Sequence, residues 1–477
     1  MAQKINQPVQ INDFSSGLID NLSVSRFLTP NNAVNKAINV VFNRPRGSVR
    51  QRLGTTKLGN TILSGNTILG LHNFRSSSSA NHQIIAAAGG NLYYLNSSTW
   101  TSTLTGLSTN KTRFLTYLDS VCFLDGATAL QSWDGTSGWI ASAGPLDISN
   151  FPITKYAGLI NTRIAAAGNS TNPDTLYISS LEAANAISWT SGNKTIRVYP
   201  NDGGGNISGL AGNGRIILVF KERGLYRYDD TELQRIGFVG TTSHESITTD
   251  DNGITYFFGQ GANGVGFYMT DGGRPIKISR PIVKYIEAIS PSFYSNIAAY
   301  ADGEKVEWSV GSITINGLVY TNASLVYFPS DQTWMVFNRD DRFRVFSQYI
   351  DASGNMKVAG GDTDGMAQTI NDGNTDNTVN ISSECEFKPI TITTSAQIKL
   401  LSEVFALATH FQGLQLHLKI DEKPFVLLGD IKNNVQNFTL NKARGHKFQF
   451  KITAINGGEP FQFDGLEIPS FINEGYE

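Results

Sequence analysis

One glycine-rich segment in this 477-residue chain has the spacing of a nucleotide-binding loop. Gly259, Gly261 and Gly264 lie in GQGANG, which matches the G-x-G-x-x-G pattern and follows a predicted strand. Dinucleotide sites need a helix to begin there, because its N-terminal N–H groups meet the pyrophosphate. Here a second strand pattern, VGFYMTDG, follows instead. The segment therefore predicts a hairpin loop and no cofactor site.

A second candidate is an acidic segment that begins like a calcium loop. Asp362, Asp364 and Gly365 stand close together, and Asp372 and Asp376 follow. The order of an EF-hand loop is not kept, and the Glu that should close it is missing. We interpret the segment as a turn between strands. Whether a metal ion lies near Asp362 and Asp364 stays open.

The remaining reactive side chains show no catalytic spacing. The six histidines form no H-E-x-x-H or similar pattern, and no G-x-S-x-G segment is present. Cys122 and Cys385 are far apart and are predicted to be two buried thiols. We predict no catalytic residue, no cofactor, no metal ligand and no enzymatic activity. The paired carboxylates of a glycosidase can come from separate strands, so a glycan-cleaving or glycan-binding protein remains the alternative.

One concentration of positive charge stands out in NRPRGSVRQRLG. Guanidinium groups suit phosphate or carboxylate partners, so the segment could contact DNA or acidic residues of a neighbouring subunit. A solvated strand face is the simpler alternative. We rank subunit contact above nucleic acid because no stacking aromatic residue is interleaved with the cluster. The predicted subunit or adaptor interface consists of Arg44, Arg46, Arg50 and Arg52.

The composition sets limits on partners and location. Charged residues make up 16% of the chain, 47 residues are glycine, and the formal net charge is −2. The chain as a whole is therefore not basic, and its net charge does not favour tight nucleic-acid binding. No apolar stretch approaches the roughly 20 residues that span a bilayer. The N-terminal residues are not followed by the apolar region of a secretory signal, so we predict no such signal. We expect no membrane insertion by this chain.

The elements that position these residues are predicted from a regular series of turns. Asn-Gly and Asp-Gly pairs favour type I′ hairpin turns, because both central residues need a positive φ. Strand patterns between the turns group into units of 40 to 50 residues, which is typical of propeller blades. The turns are Asp125-Gly126, Asp134-Gly135, Asp202-Gly203, Asn213-Gly214, Asn252-Gly253, Asp271-Gly272, Asp302-Gly303, Asn316-Gly317 and Asp364-Gly365.

The predicted fold class is all-β, with three parts. Residues 1–60 form an N-terminal arm and connecting strand, which includes a short helix that begins near Thr29 and Pro30 and carries Ala33, Val34, Ala37 and Ile38 on one face. Residues 61–375 form a β-propeller of about six or seven blades, with a short helix at 281–288. Residues 376–477 form a C-terminal antiparallel β-sandwich.

Several segments resemble tail proteins of short-tailed bacteriophages. The opening NDFSSGL, followed by AVNKAINVVFNRPRGSVRQRLG, is similar to the start of such proteins. GRPIKISRPIVKYI resembles a blade end followed by a helix, and GHKFQFKITAINGGEPFQFDGLEI resembles the C-terminal strand pair. The likeness spans nearly the whole chain. The family is the tail hub, also called the nozzle or packaged-DNA stabilisation protein.

The resemblance implies a structural role in the virion tail, after assembly in the host cytoplasm. It implies a homo-hexameric ring below the portal-adaptor complex that extends the DNA channel, helps retain the genome and anchors fibres, spikes or a needle. Double-stranded DNA would pass through this channel without tight binding. A tail-tip protein of a long-tailed phage is a further alternative.

Overall fold

The fold is seen in a computed structural model. It describes residues 3–5, 8–20, 32–42, 47–76, 83–136, 138–141, 145–212, 214–262, 264–390, 397–454 and 460–476. Seven successive antiparallel sheets follow one another between residues 68 and 370 of this described part. Continuous apolar runs such as Arg163–Ala167 are buried along their whole length, as expected for strands packed on both faces.

The first three sheets come from consecutive stretches of chain. Sheet 1 contains Ile68–Phe74, Gln83–Ala88, Asn91–Asn96 and Thr99–Leu104. Sheet 2 contains Arg113–Tyr117, Ser120–Leu124 and Ser132–Trp133. Sheet 3 contains Tyr156–Ile160, Arg163–Ala167, Thr175–Ile178 and Lys194–Arg197.

The next sheets continue the same order. Sheet 4 contains Ile207–Gly212, Ile217–Lys221, Gly224–Tyr228 and Leu233–Gly237. Sheet 5 contains Val239–Gly240, Thr248–Thr249, Thr255–Gly261, Gly266–Thr270 and Ile276–Lys277. Sheet 6 begins with Ala298–Ala301, Val306–Ile315, Leu318–Phe328 and Thr333–Asn338. Sheet 7 contains Phe343–Ile350, Met356–Asp362 and Ala367–Ile370, joined by Thr55–Lys57, Thr375–Asp376 and Val379–Asn380.

These sheets are the blades of a β-propeller, and the ring closes between sheets 7 and 1. Their inner strands, Phe343–Ile350 and Ile68–Phe74, pack against each other. Gly361 of sheet 7 lies so close to Ile68 that a Cβ there would stand 2.6 Å from Ile68 Cγ2. Six of the described sheets have four or more strands and sheet 2 has three, so the predicted propeller of six or seven blades is confirmed.

The N-terminal arm pairs with both the propeller and the sandwich. Thr55–Lys57 pairs with Ala367–Ile370 of sheet 7, so the start of the chain completes the last sheet. Gln3–Ile5 and Val9–Ile11 pair with C-terminal strands. Strands on both sides of the predicted boundaries at residues 60 and 375 therefore belong to the same sheets.

The predicted short helix in the arm is wrong over its described part, whereas its predicted start at Thr29 and Pro30 lies outside the described residues. Residues Val34–Ile38 form a strand that pairs with Ser383–Phe387. A bulge between Val34 and Lys36 shifts the register, so the buried Val34 and Ala37 share a face although they are three residues apart. That spacing imitates one turn of a helix.

The C-terminal β-sandwich is confirmed, but its first sheet continues directly from sheet 6. That sheet adds Val34–Ile38, Ser383–Phe387, Phe448–Ala454, Leu414–Ile420 and Val426–Asp430. The second sheet contains Gln3–Ile5, Val9–Ile11, Val40–Phe42, Val49–Gln51, Gln397–His410, Val435–Gly445, Gln462–Ile468 and Phe471–Tyr476. Phe14 stacks on Phe387 at 4.6 Å, and Phe387 stacks on Phe463 at 5.6 Å. One hydrophobic core thus joins the arm, the sandwich and sheets 5 and 6.

The helices of the described residues are all short. The helix predicted at 281–288 is confirmed as the α-helix Val283–Glu287, preceded by a 3-10 turn at Arg280–Ile282. Other 3-10 turns are Ile148–Asn150, His244–Ser246 and Pro291–Asn296. No helix of the described residues combines the length and apolar character needed to cross a bilayer.

The predicted turns form where both residues are described, but most are not of type I′, and Asn213 lies outside the described residues. The glycine has a positive φ in all nine pairs. Among the described first residues, Asn316 shares it, with φ 51°. At Asp125 and Asp202 the carboxylate instead accepts a hydrogen bond from the backbone N–H two residues on, at 2.9 Å in each case. The aspartate side chain therefore stabilises the turn without a left-handed backbone at its own position.

Candidate functional site

The arginine cluster is divided between the surface and the interior. Arg44 and Arg46 lie outside the described residues. Arg50 is exposed at the centre of strand Val49–Gln51, whose flanking residues are buried. Arg52 follows the strand by one residue and is only 1% exposed. Because side chains alternate along a β-strand, Arg50 points to solvent. Arg52 comes after the end of the strand, and its side chain is buried.

Arg52 is held by a complete set of partners within the chain. Its Nη1 and Nη2 donate to the two carboxylate oxygens of Asp376 at 2.8 and 2.5 Å. Its Nε donates to Asn39 Oδ1 at 2.9 Å, and backbone carbonyls of Leu53 and Asn338 accept further hydrogen bonds. The predicted subunit or adaptor contact therefore does not fit Arg52, because its donors are already used inside the fold. It stays a prediction for Arg44, Arg46 and Arg50.

A second buried pair lies beside the first. Arg339 Nε and Nη2 donate to the two oxygens of Glu307 at 2.7 and 2.8 Å, and the Tyr300 hydroxyl donates to Glu307 Oε2 at 2.7 Å. Both guanidinium groups lie near the Phe337 ring, with Arg52 Cζ at 5.6 Å and Arg339 Cζ at 5.4 Å from its centroid. We call Asn39, Arg52, Glu307, Arg339 and Asp376 the junction network.

The junction network holds its acids in the ionised form. Burial alone would raise the pKa of Glu307, but the charge and hydrogen bonds of Arg339 and the Tyr300 hydroxyl outweigh it and lower the pKa to about 2. Burial also opposes ionisation of Asp376, and Arg52 lowers its pKa again. The network links the arm, sheet 6 and the strand Thr375–Asp376 of sheet 7. Its role is structural, since a buried ionised pair has no proton to give.

A cavity of about 760 Å³ lies next to this network. We call it the junction cavity. Its wall combines charged side chains of both signs with aromatic rings. Lys305 is paired there with Asp302 at 2.7 Å, and the Tyr256 hydroxyl donates to Asp250 at 3.3 Å. Residues of its lining include Arg50, Leu53, Asp250, Tyr256, Glu304, Lys305, Phe328 and Pro460.

The 3-10 turn His244–Ser246 lies at the propeller axis. This turn contacts the inner strands of sheets 4, 6 and 7. The carboxylate of Glu245 pairs with Lys111 Nζ at 2.8 Å and with Arg113 Nη2 at 2.5 Å. Although burial opposes ionisation, these cations hold the pKa of Glu245 well below its usual range. A glycosidase acid needs a raised pKa, so Glu245 is not prepared to donate a proton.

The other sequence candidates occupy structural positions. GQGANG joins strands Thr255–Gly261 and Gly266–Thr270, which confirms the predicted hairpin. Asp362 Oδ1 accepts hydrogen bonds from the N–H groups of Asp364 and Met366 at 2.9 and 2.8 Å, which confirms a turn.

The reactive side chains add no metal or thiol chemistry within the described part of the chain. Cys122 and Cys385 are free and buried, as predicted. Burial raises the pKa of the Cys122 thiol to about 12. No group of three or more His, Cys, Asp or Glu side chains that could hold a metal occurs among the described residues.

Sequence reasoning missed both the junction network and the charges at the axis. Glu307 and Arg339 lie 32 residues apart, and no local motif joins them. The segment RDDRFR, with Arg342 and Arg344, was the one available signal for the axis. It begins the inner strand of sheet 7, and inner-strand starts meet at the axis of a propeller.

The sheet topology defines this chain as a β-propeller protein with a fused β-sandwich. No protein-family model and no curated protein matches it. Among solved structures it is similar to YCF48 bound to a D1 peptide, with a TM-score of 0.40 and 12% identity, over 65% of this chain and 95% of that chain.

Two further solved structures show the same level of similarity. The extracellular domain of the one-component system BT4673 from B. thetaiotaomicron has a TM-score of 0.45 and 12% identity, over 92% of this chain and 62% of that chain. The WD40 domain of coronin from Toxoplasma gondii has a TM-score of 0.39 and 10% identity, over 70% of this chain and 87% of that chain. These likenesses concern architecture alone.

Proposed function

We propose that this protein is a structural tail protein of a short-tailed bacteriophage, in which it forms a nozzle or hub ring below the portal-adaptor complex. The sequence resemblance is the source of this proposal and implies six copies. The structural observation that supports it is the position of Arg50. This exposed arginine lies at the wall of the junction cavity, where the arm, the propeller and the sandwich meet.

The rigidity of the assembly unit supports a mechanical role. The arm pairs with the propeller and with both sheets of the sandwich. The buried Arg52–Asp376 and Arg339–Glu307 ion pairs lie where these parts meet and stabilise their contact. A unit of this kind can transmit force between neighbours without rearrangement of its parts. Heterologous contacts between different patches of successive copies then close the ring.

The DNA channel in this proposal lies between the copies. Each propeller axis is occupied by His244–Ser246 and its ion pairs, so a duplex passes through the lumen that the ring encloses. A near-neutral chain, with a net charge of −2, suits a lumen along which DNA must slide. Fibres, spikes or a needle would attach to the outer or distal surfaces.

The test is the mass of the purified full chain, alone and mixed with portal-adaptor complexes. We expect a ring that docks on the complex, with contacts that bury well over about 1,000 Å² each. A chain that stays monomeric, does not dock and hydrolyses or binds glycans would overturn the proposal in favour of the glycan alternative. Docking on a long tube instead of a portal-adaptor complex would favour the tail-tip alternative.

A further inference from the structure

A group of cations gathers at one end of the propeller axis. Arg113 begins the inner strand of sheet 2, and Lys111 precedes it by two residues. Arg344 is the second residue of the inner strand of sheet 7, and Arg342 precedes that strand. Inner strands of a propeller run in the same direction, so their first residues share one face. We call Lys111, Arg113, Glu245, Arg342 and Arg344 the axial cluster.

The contacts of the axial cluster show that its members lie close together. Lys111 Nζ reaches Glu245 at 2.8 Å and the Ser295 carbonyl at 2.7 Å. Arg344 and Arg342 lie over the Phe293 ring, with Cζ at 4.8 and 5.8 Å from its centroid. The turns that hold Glu245 and Phe293 contact each other. The cluster therefore joins sheets 2 and 7, which lie on either side of sheet 1 in the ring.

The charges of this cluster do not balance. Four cations face one carboxylate, and Glu245 is already paired with Lys111 and Arg113. Burial lowers the pKa of His244 to about 3, so this neighbour adds no charge at neutral pH. Burial also lowers the pKa of Lys111, and the charges of Arg113 and Arg344 act in the same direction. Arg344 thus repels Lys111.

Several guanidinium donors of the cluster also lack acceptors. Arg113 Nε, Arg342 Nε and Arg344 Nη1 are buried and have no hydrogen-bond acceptor among the described residues. Buried polar groups are nearly always paired, and an unpaired donor destabilises the fold. An aromatic ring below Arg342 and Arg344 stabilises their charge only in part. An anionic acceptor would pair with these donors and also offset the excess positive charge.

We propose that the axial cluster binds a small oxyanion of the phosphate type. Planar guanidinium groups match pairs of oxygens on such an ion, and a tetrahedral oxyanion offers acceptors in several directions at once. The turns His244–Ser246 and Pro291–Asn296 border the site, which favours a free ion over a duplex backbone. The site is independent of ring assembly and belongs to the isolated chain.

The experiment measures thermal unfolding of the full chain with inorganic phosphate and, separately, with sodium chloride at the same ionic strength. The chloride series measures general screening of repelling cations. We expect phosphate to raise the unfolding midpoint in a saturable way and beyond the effect of chloride. Calorimetric titration of phosphate then gives the affinity.

Two variants separate binding from a structural role. We expect Arg342→Gln and Arg344→Gln each to lower the affinity for phosphate at least about tenfold, because a charge-assisted hydrogen bond is lost. Without phosphate they should be as stable as wild type, because each removes a repelling cation. The exposed Arg223 of sheet 4 supplies the control Arg223→Gln, which should bind phosphate normally.

Three results would overturn the proposal. These are a midpoint that responds equally to phosphate and chloride, equal phosphate affinity in wild type and both axial variants, or stabilisation by a short DNA duplex but not by free phosphate. The last result would assign the cations to nucleic acid instead of a small ion.

Discussion

The guanidinium of Arg52 donates to both carboxylate oxygens of Asp376 across 324 residues of chain. The side chains are 1% and 6% exposed. The pair joins the end of the N-terminal arm to the segment that leaves sheet 7. Removal of one partner from a buried pair of this geometry leaves a costly unpaired charge, so we expect the junction to be sensitive to substitution at either residue.

We expect Arg52→Leu to destabilise the protein by about 3–5 kcal/mol, because Asp376 would remain buried without its partner. Denaturant unfolding of the purified chain measures the difference. The double variant Arg52→Leu/Asp376→Leu is the matched control, since it removes both charges and should recover much of the loss. A single variant with wild-type stability would show that the pair contributes nothing to the junction.

Acid should weaken the second pair of the junction network. The pKa of Glu307 is lowered from 4.5 to about 2 in the folded protein. A carboxyl group of lowered pKa stabilises the fold fully above its ordinary value, and this contribution is lost as the pH falls from 4.5 towards 2. The shift corresponds to roughly 3 kcal/mol. Unfolding free energies measured at a series of pH values should fall across this window.

The variant Glu307→Gln identifies the group responsible for that fall. It should be less stable at neutral pH, because Arg339 loses a charged partner, and its stability should decline less steeply between pH 4.5 and 2 than that of wild type. Parallel curves for the two proteins would assign the acid sensitivity to other carboxyl groups.

Closure of sheet 7 by the arm depends on Gly54. A Cβ at this position would stand about 1.9 Å from the Thr375 carbonyl oxygen, and backbone atoms cannot give way cheaply. We therefore expect Gly54→Ala to destabilise the protein by about 1–3 kcal/mol. Gly138→Ala is the control, because Gly138 has no atom within 4 Å of its Cβ position. Equal thermal midpoints for the two variants would contradict this reading of the closure.

The sequence predicted the propeller well because its signals are local. Apolar runs such as Ile68–Phe74 and Gln83–Ala88 form strands, and the glycines of the turns have the expected positive φ. Turn type was harder, because an aspartate side chain can replace a left-handed backbone. At Asp302, for example, the carboxylate oxygen Oδ1 accepts a hydrogen bond from the Glu304 N–H at 3.3 Å.

The arm and the candidate site depend on distant partners and were harder to predict. Val34 and Ala37 imitated a helix because a bulge placed them on one face. Nothing local separates the exposed Arg50 from the buried Arg52, whose partner Asp376 comes after the whole propeller. Parts of the motif NDFSSGL are similarly structural, since Phe14 and Leu18 are each 1% exposed in the core.

The proposed ring makes a specific prediction about the arginines. We expect Arg46→Glu/Arg50→Glu to weaken ring assembly, because reversed charges would repel the acidic surface that an arginine contact implies. The unfolding midpoint should stay close to that of wild type, since Arg50 is exposed and surface substitutions change stability by about 0.5 kcal/mol or less. Mass measurement across a range of protein concentrations gives the oligomeric state, and Arg223→Glu, at an exposed position of sheet 4, is a single charge-reversal control. A double variant that assembles like wild type would remove these arginines from the interface.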